Sequence, residues 1–171
     1  MFQDEARFGR INMPRTCWAP AGIRPIVGSQ IIREYTYAYA AISPLDGVMD
    51  SLILPEVNAD VFSMFLEEVS SRHPNEYVIM FIDGAGWHTT KALALPDNIC
   101  VSFLPPYSPE LNPTEHIWDC IRENWFPNKT FNSLDAVEDT LVSALLSLEN
   151  DPIRVKNLTH FNWIVNTLNA T

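Results

Sequence analysis

The amino-acid sequence predicts an α/β fold in which a mixed five-stranded sheet is flanked by helices. Short apolar runs rich in β-branched and aromatic residues are bounded by turn residues, and they alternate with segments whose apolar residues recur every three to four positions. The order along the chain is strand, hairpin, helix, strand, short helix, strand and then helices, as in a sheet covered by helices. With 171 residues, 47% of them hydrophobic, the chain can form one domain with a substantial core.

The first half of the chain supplies three of the predicted strands. The opening strand is expected to end at Asp4, followed by Glu5. Residues 8–33 are rich in proline, glycine and arginine with little periodicity, which indicates a long excursion that is either functional or a mobile surface loop. Tyrosines at every second position then predict a strand over residues 33–42, and residues 47–54 return after a Pro-Leu-Asp-Gly turn. The two runs predict a β-hairpin.

Helices are predicted where apolar residues form a stripe at helical spacing. Residues 58–71 form one such helix, and a further one begins at Ser133 as its N-cap. A short helix is predicted over residues 89–95, because Pro96 stops it. The tail, residues 151–168, is expected to be helical in pieces.

The two remaining strands precede turns that carry polar residues. Residues 77–82 are the most apolar run of the chain and end at Asp83, before a Gly-Ala-Gly turn. Residues 99–104 form the second run and lead into a loop that three prolines stiffen. Ligands gather outside the carboxyl ends of strands in open α/β sheets, so Asp83 is in a position where functional residues are found.

A third carboxylate, Glu115, lies in the first turn of the helix that Asn112 and Pro113 begin. Spacing alone allows a structural alternative, because Asn112 and Glu115 approximate a capping box in which the carboxylate binds back to the Asn112 N–H. The presence of Asp4 and Asp83 at comparable positions favours a functional site instead.

Four segments in order resemble the DDE-type transposases of the mariner superfamily, most closely the bacterial insertion-sequence branch. They are FQDEARFG at 2–9, CWAPAGIRP at 17–25, FIDGAGWHTTK at 81–91 and LPPYSPELNPTEHIW at 104–118. The resemblance implies a ribonuclease H-like catalytic domain over residues 1–171, with the N-terminal helix-turn-helix DNA-binding domain of the family expected to be absent. It also implies a metal-binding catalytic triad of Asp4, Asp83 and Glu115, in which the glutamate follows the second aspartate by 32 positions.

The implied activity is metal-dependent DNA strand cleavage and strand transfer at transposon ends. In-line attack on a phosphodiester builds negative charge on several oxygens, and two divalent cations can activate the nucleophile and stabilise the leaving group. Mg²⁺, or Mn²⁺ in its place, prefers oxygen ligands, which three carboxylates supply. Asp4 is expected to be shared by both ions, with Asp83 and Glu115 on separate sides, while Glu5 points to the opposite face of its strand.

The resemblance further implies DNA partners, namely terminal repeats and target DNA, a homodimer in the active assembly and a bacterial cytoplasmic location. The excursion at residues 8–33 resembles a clamp-like loop that can touch a second subunit or DNA. The alternatives are an inactive remnant that serves only as a dimerisation or assembly module, and a general nuclease without terminal-repeat preference.

Other polar residues near these motifs have two interpretations each. His88 could orient a phosphate or water, or it could pack in the turn; Lys91 could contact phosphate, although a solvated charge is the default. Asp119 is a spare carboxylate that Arg122 can pair with, and His116 is expected to be a packing residue.

The net charge of −10 is unusual for a chain proposed to bind DNA, which normally shows a basic patch. The charge is uneven, because residues 1–33 contain five arginines and two carboxylates. We therefore expect weak, salt-sensitive DNA binding through residues 7–33 without sequence preference. The three cysteines form no CxxC pair, so neither a disulfide framework nor a thiolate zinc site is indicated, and no segment is long and apolar enough for a signal peptide or membrane span.

Overall fold

The computed structural model describes residues 1–12, 14–88 and 93–168. Its five-stranded sheet has the order β3-β2-β1-β4-β5. β1 is antiparallel to β2, and β2 is antiparallel to β3, whereas β4 runs parallel to both β1 and β5. The sheet is therefore mixed, as predicted. The strands are β1 (Phe2–Ile11), β2 (Ile31–Ile42), β3 (Met49–Leu54), β4 (Val78–Ile82) and β5 (Ile99–Phe103).

The helices are α1 (Ala59–Arg72), α2 (Thr114–Asn124), α3 (Leu134–Glu149), α4 (Pro152–Thr159) and α5 (Asn162–Leu168), with a 3₁₀ turn at Pro109–Leu111. The predicted N-cap Ser133 is confirmed, because its side chain accepts from the Ala136 N–H, and Asn58 caps α1 in the same way by accepting from the Val61 N–H. Of the short helix predicted over residues 89–95, positions 89–92 lie outside the described residues and 93–95 are irregular. None of the described helices combines the length and apolar character needed to cross a bilayer.

The sheet separates two hydrophobic cores. On one face, even-numbered residues of β1 pack with α2, α3 and α4 around the buried Trp118. On the other face, Tyr39 and strands β4 and β5 pack against the apolar stripe of α1. Because side chains alternate between the two faces of a strand, adjacent residues of β1 face different hydrophobic cores.

The first strand continues through Asp4 instead of ending there. β1 runs on to Ile11 because its second half pairs with β2, from Glu5↔Tyr39 to Gly9↔Tyr35. β4 meets β1 near its start, at Phe2↔Phe81. The outer part of the β1–β2 hairpin consequently projects past the carboxyl ends of β4 and β5, and the excursion that joins the two strands is shorter than predicted.

Candidate active site

Asp4, Asp83 and Glu115, the three carboxylates singled out from the sequence, line one cleft of about 420 Å³. Asp4 lies within β1, Asp83 follows β4, and Glu115 is in the first turn of α2. The proline-rich loop after β5 forms another wall of the cleft. The fold therefore brings the three residues to the same edge of the sheet.

The start of α2 is anchored to the backbone of β1, which fixes Glu115 beside Asp4. The Asn112 amide donates to the carbonyl of Gln3 at 3.1 Å, and the Thr114 hydroxyl donates to the carbonyl of Phe2 at 3.0 Å. Both anchoring side chains are buried, so these hydrogen bonds are shielded from water.

The capping-box interpretation of Glu115 is wrong in this structure. The Asn112 N–H donates to the carbonyl of Pro109 at 2.9 Å, and the Asn112 side chain accepts from the Thr114 N–H at 3.2 Å. The predicted helix start is displaced by one residue, because Pro113 is the N-cap of α2 and Asn112 ends the 3₁₀ turn, which satisfies its N–H. The Glu115 carboxylate is not needed to complete the helix terminus and lines the cleft.

Asp4 is held in a setting that favours its protonated form. Burial and the nearby Glu115 charge raise the pKa of Asp4 to about 7, although a hydrogen bond from the Trp118 indole opposes the change. The indole Nε1 donates to Asp4 Oδ2 at 2.9 Å. A cation in the cleft would replace that proton, because a positive charge favours the ionised carboxylate.

Asp83 has the opposite electrostatic environment. The Asp83 carboxylate lies 2.8 Å from Nδ1 of His88 and accepts the Ala85 N–H at 3.0 Å. The hydrogen bond with His88 is the main reason that the pKa of Asp83 is lowered. Asp83 is therefore ionised at neutral pH, while Asp4 is close to half-protonated.

His88 joins Asp83 to Glu5, the residue next to Asp4. Its Nε2 lies 2.9 Å from Glu5 Oε1, and the side chains of His88 and Glu5 are only 1% and 6% exposed. Burial disfavours the charged imidazole, but hydrogen bonds to Asp83 and Glu5 outweigh it and raise the pKa of His88 to about 9. His88 also packs against Phe62 of α1, with ring centroids 4.4 Å apart and the two rings inclined at 49°.

These contacts confirm that Glu5 points to the face opposite Asp4. Asp4 contacts Trp118 of α2, whereas Glu5 contacts the histidine that packs on α1. Sequence reasoning did not identify Glu5 as part of the site. Its only signal was its position directly after Asp4, and the separation of 83 positions between Glu5 and His88 concealed the pairing.

The donor set suits a hard divalent cation, because three carboxylates supply oxygen ligands alone. Among the residues described, however, no three His, Cys, Asp or Glu side chains are close enough together to hold a metal ion. The contact with His88 engages only Oδ1 of Asp83, and the second carboxylate oxygen can bind an ion. Metal binding would require the three carboxylates to come closer together.

The loop that walls the cleft also carries a feature that the sequence did not predict. Tyr107 has a positive φ of 56° and a fully exposed side chain. The prolines around it stiffen the loop, as predicted, and Ser108 donates to the carbonyl of Pro106 at 3.3 Å. An aromatic ring therefore stands open to solvent at the rim of the cleft.

The remaining candidates from the sequence have structural contacts. Arg122 lies 3.9 Å from Asp119, in agreement with the ion-pair interpretation. Nδ1 of His116 lies 3.0 Å from the carbonyl of Leu158 and its ring packs on Phe161, so it is a packing residue. Lys91 lies outside the described residues.

Comparison with known families assigns the chain to a class. The family model described as DDE superfamily endonuclease matches residues 1–138. An uncharacterized protein of Sinorhizobium fredii (strain NBRC 101917 / NGR234) is 33% identical over 130 residues, which cover 75% of this chain and 96% of that protein. The chain belongs to the DDE endonuclease superfamily.

Solved transposase structures share the fold. The Mos1 transposase paired-end complex with the left transposon end matches 94% of this chain and 55% of its own, with a TM-score of 0.60 and 16% identity. A pre-cleavage Mos1 transpososome matches 92% of this chain and 52% of its own, with a TM-score of 0.64 and 16% identity. The chain therefore spans about half the length of these transposases, and it has the ribonuclease H-like fold of their catalytic domain. Mos1 paired-end complexes have been crystallised with Mn and with Mg.

Proposed function

We propose that this chain is a transposase catalytic domain that cuts DNA strands at transposon ends and transfers them to target DNA. The observation that carries the proposal is the single cleft that Asp4, Asp83 and Glu115 line in a chain of the DDE endonuclease superfamily. Residues 1–171 act as the catalytic domain, and recognition of the terminal repeats belongs to DNA-binding helices outside this range.

Asp4, Asp83 and Glu115 would hold two Mg²⁺ or Mn²⁺ ions, with Asp4 shared between them. Bound there, the ions supply activation of the attacking hydroxyl and stabilisation of the leaving oxygen. The all-oxygen donor set supports this assignment, and so does the presence of Mn and Mg in complexes of the structurally similar Mos1 transposase.

The surrounding residues prepare the cleft for this task. Asp4 gives up its proton near pH 7, and His88 keeps Asp83 ionised. Glu115 is fixed by the two hydrogen bonds that anchor α2 to β1. Glu5 holds the far side of the His88 ring and so limits where Asp83 can lie, as an outer-shell partner does in metal sites.

The proposed partners are transposon-end DNA, target DNA and a second copy of the chain. The excursion after β1 supports the dimer because it exposes large apolar side chains, including Trp18 and Ile26, that would be covered by a partner. We place the protein in the bacterial cytoplasm because the proposed DNA substrate is there.

A nicking assay on plasmid DNA that carries the natural flanks of the coding region tests this function. With the chain fused to a DNA-binding domain that recognises those ends, we expect nicks at the element ends that require Mn²⁺ or Mg²⁺ and are abolished by Asp83→Asn and by Glu115→Gln. Asp119→Asn is the matched control, since this carboxylate lies one helical turn from Glu115 but is paired with Arg122. Equal activity of wild type and Asp83→Asn would indicate an inactive remnant, and nicks without preference for the ends would indicate a general nuclease.

A further inference from the structure

A second concave site, away from the carboxylates, gathers positive charge. It has a volume of about 110 Å³, and Arg7, Arg15, Arg122 and Lys129 are among its lining residues. Four of the chain's eleven lysines and arginines therefore meet at one place in a chain of net charge −10. Within the part of the chain that the structure describes, no carboxylate lines this site. We call it the Arg122 pocket.

The floor of the Arg122 pocket is aromatic and firmly packed. Phe8, Phe126 and Phe131 line it, and the ring centroids of Phe126 lie 5.1 Å from Phe8 and 5.4 Å from Phe131. The Arg122 guanidinium lies over the Phe8 ring at 5.4 Å. A rigid apolar floor under a ring of cations lowers the local dielectric constant and strengthens attraction for an anion.

The cations of this pocket are only weakly neutralised by the protein. Arg122 lies 3.9 Å from Asp119 and Arg15 lies 3.5 Å from Glu123, and both carboxylates are more than 60% exposed. Ion pairs this exposed are weak and exchange readily with other anions. A phosphate can therefore take the place of either carboxylate at small cost.

The Arg122 pocket is connected to the catalytic cleft through a short series of contacts. The Trp118 indole donates a hydrogen bond to Asp4, and the centroid of its ring lies 6.2 Å from that of Phe8. The Arg122 guanidinium in turn lies over the Phe8 ring. Arg122 follows Glu115 by seven residues on α2, two turns along the same face. That spacing is about 10 Å along the axis of α2, which is only a few times the roughly 3.4 Å rise per nucleotide along the DNA axis.

We infer that the Arg122 pocket binds a backbone phosphate of the DNA strand that passes through the catalytic cleft, a short distance from the reacting phosphate. The inference rests on the proposed function for its substrate. It extends that function by assigning DNA contacts to α2 and to Lys129, which follow the cleft along the chain, in addition to the arginine-rich first 33 residues. The pocket recognises the phosphate charge and not the base sequence of the DNA, because the phosphates are the same at every base pair.

The test is the salt dependence of duplex binding, measured by fluorescence anisotropy of the full chain without divalent metal. The variants are Arg122→Gln, Lys129→Gln and the double substitution, with Lys156→Gln as the control because it removes an exposed cation of α4 outside the pocket. Because the pocket binds one phosphate, the double substitution is expected to reduce the slope of log K against log salt by about 0.9, and each single substitution by part of that amount. When salt is raised from 50 to 200 mM, the drop in affinity of the double variant should then be about 3.5-fold smaller than the drop in affinity of wild type.

The substitution Arg122→Lys separates the effect of charge from the effect of packing. Because it retains the positive charge, the slope of log K against log salt should equal that of wild type even if the thermal stability changes. A double variant with the slope and affinity of Lys156→Gln would overturn the inference, and so would a wild-type chain that binds no duplex. Because the measurement needs no metal and no cleavage, a chain that fails to nick DNA but shows the reduced slope would contradict the proposed function and support the pocket.

Discussion

The imidazole of His88 and the carboxylate of Asp83 lie 2.8 Å apart, and this pair decides the arrangement of the candidate active site. Asp83 shares the cleft with Asp4 and Glu115, yet it is bonded to a histidine that reaches back to Glu5. The position of Asp83 is therefore fixed by His88, which Glu5 in turn holds from its other side.

Loss of the His88 imidazole should destabilise the fold through Glu5. His88→Ala leaves a nearly buried carboxylate without its cation, and breaking a buried pair in this way typically costs about 3–5 kcal/mol. Urea unfolding should show this loss at pH 7. The double variant Glu5→Gln/His88→Ala should recover a large part of it, because no uncompensated charge remains, whereas His160→Ala at an exposed position should have little effect.

The stability that His88 contributes should depend on pH. Its pKa is about 9 in the folded protein and near 6.5 when unfolded, so the folded state binds the proton more tightly. The contribution is fully present below about pH 6.5 and is lost as pH rises through 9. Unfolding curves of wild type and His88→Ala should therefore converge at alkaline pH, and a difference that stays constant from pH 6 to pH 10 would contradict this origin.

In contrast to His88, Asp4 should lower the free energy of unfolding at neutral pH. A carboxyl pKa raised from about 4 to about 7 means that folding costs free energy increasingly as pH rises from 4 to 7. Asp4→Asn should therefore raise the free energy of unfolding at pH 7.5, by on the order of 2 kcal/mol. The gain should vanish at pH 4 in the same urea titrations, and a variant that is less stable than wild type at pH 7.5 would refute the assignment.

Metal binding should release a proton from Asp4. Because the carboxyl must ionise to act as a ligand, the apparent affinity for Mn²⁺ should rise up to about tenfold per pH unit below pH 7 and level off above it. Isothermal titration calorimetry in two buffers of different ionisation enthalpy measures the proton count directly. Asp119→Asn should leave that count unchanged, and pH-independent affinity in wild type would show that Asp4 is not a ligand.

The turn between β2 and β3 should be sensitive to substitution of its glycine, Gly47. Gly47 has a φ of +80°, and a Cβ at this position would overlap the carbonyl of Pro152 at the start of α4. Gly22 has a φ of +83° with open space around it. Both glycines meet the same backbone restriction, so the thermal melting temperature should fall much further for Gly47→Ala than for Gly22→Ala. Equal shifts would mean that the contact with α4 does not matter.

The mixed sheet predicted from the sequence is confirmed, and two of the three carboxylates lie beside local signals, while their catalytic role stays a prediction. Asp83 follows an apolar strand, and Glu115 follows a proline at a helix start. The continuation of β1 beyond Asp4 could not be predicted from the neighbouring residues, because it depends on pairing with β2, which lies on the other side of the excursion in the sequence. The bridge from Glu5 to His88 was hidden for the same reason, since a contact between residues 83 positions apart leaves no periodic trace.

The most direct test of the central claim is a crystal structure of the chain with Mn²⁺, in which anomalous scattering locates the ions. We expect two peaks in the cleft that share an oxygen of Asp4, with Glu115 beside one of them and the Asp83 carboxylate beside the other. The absence of any peak between Asp4 and Glu115 at saturating Mn²⁺ would contradict the central claim.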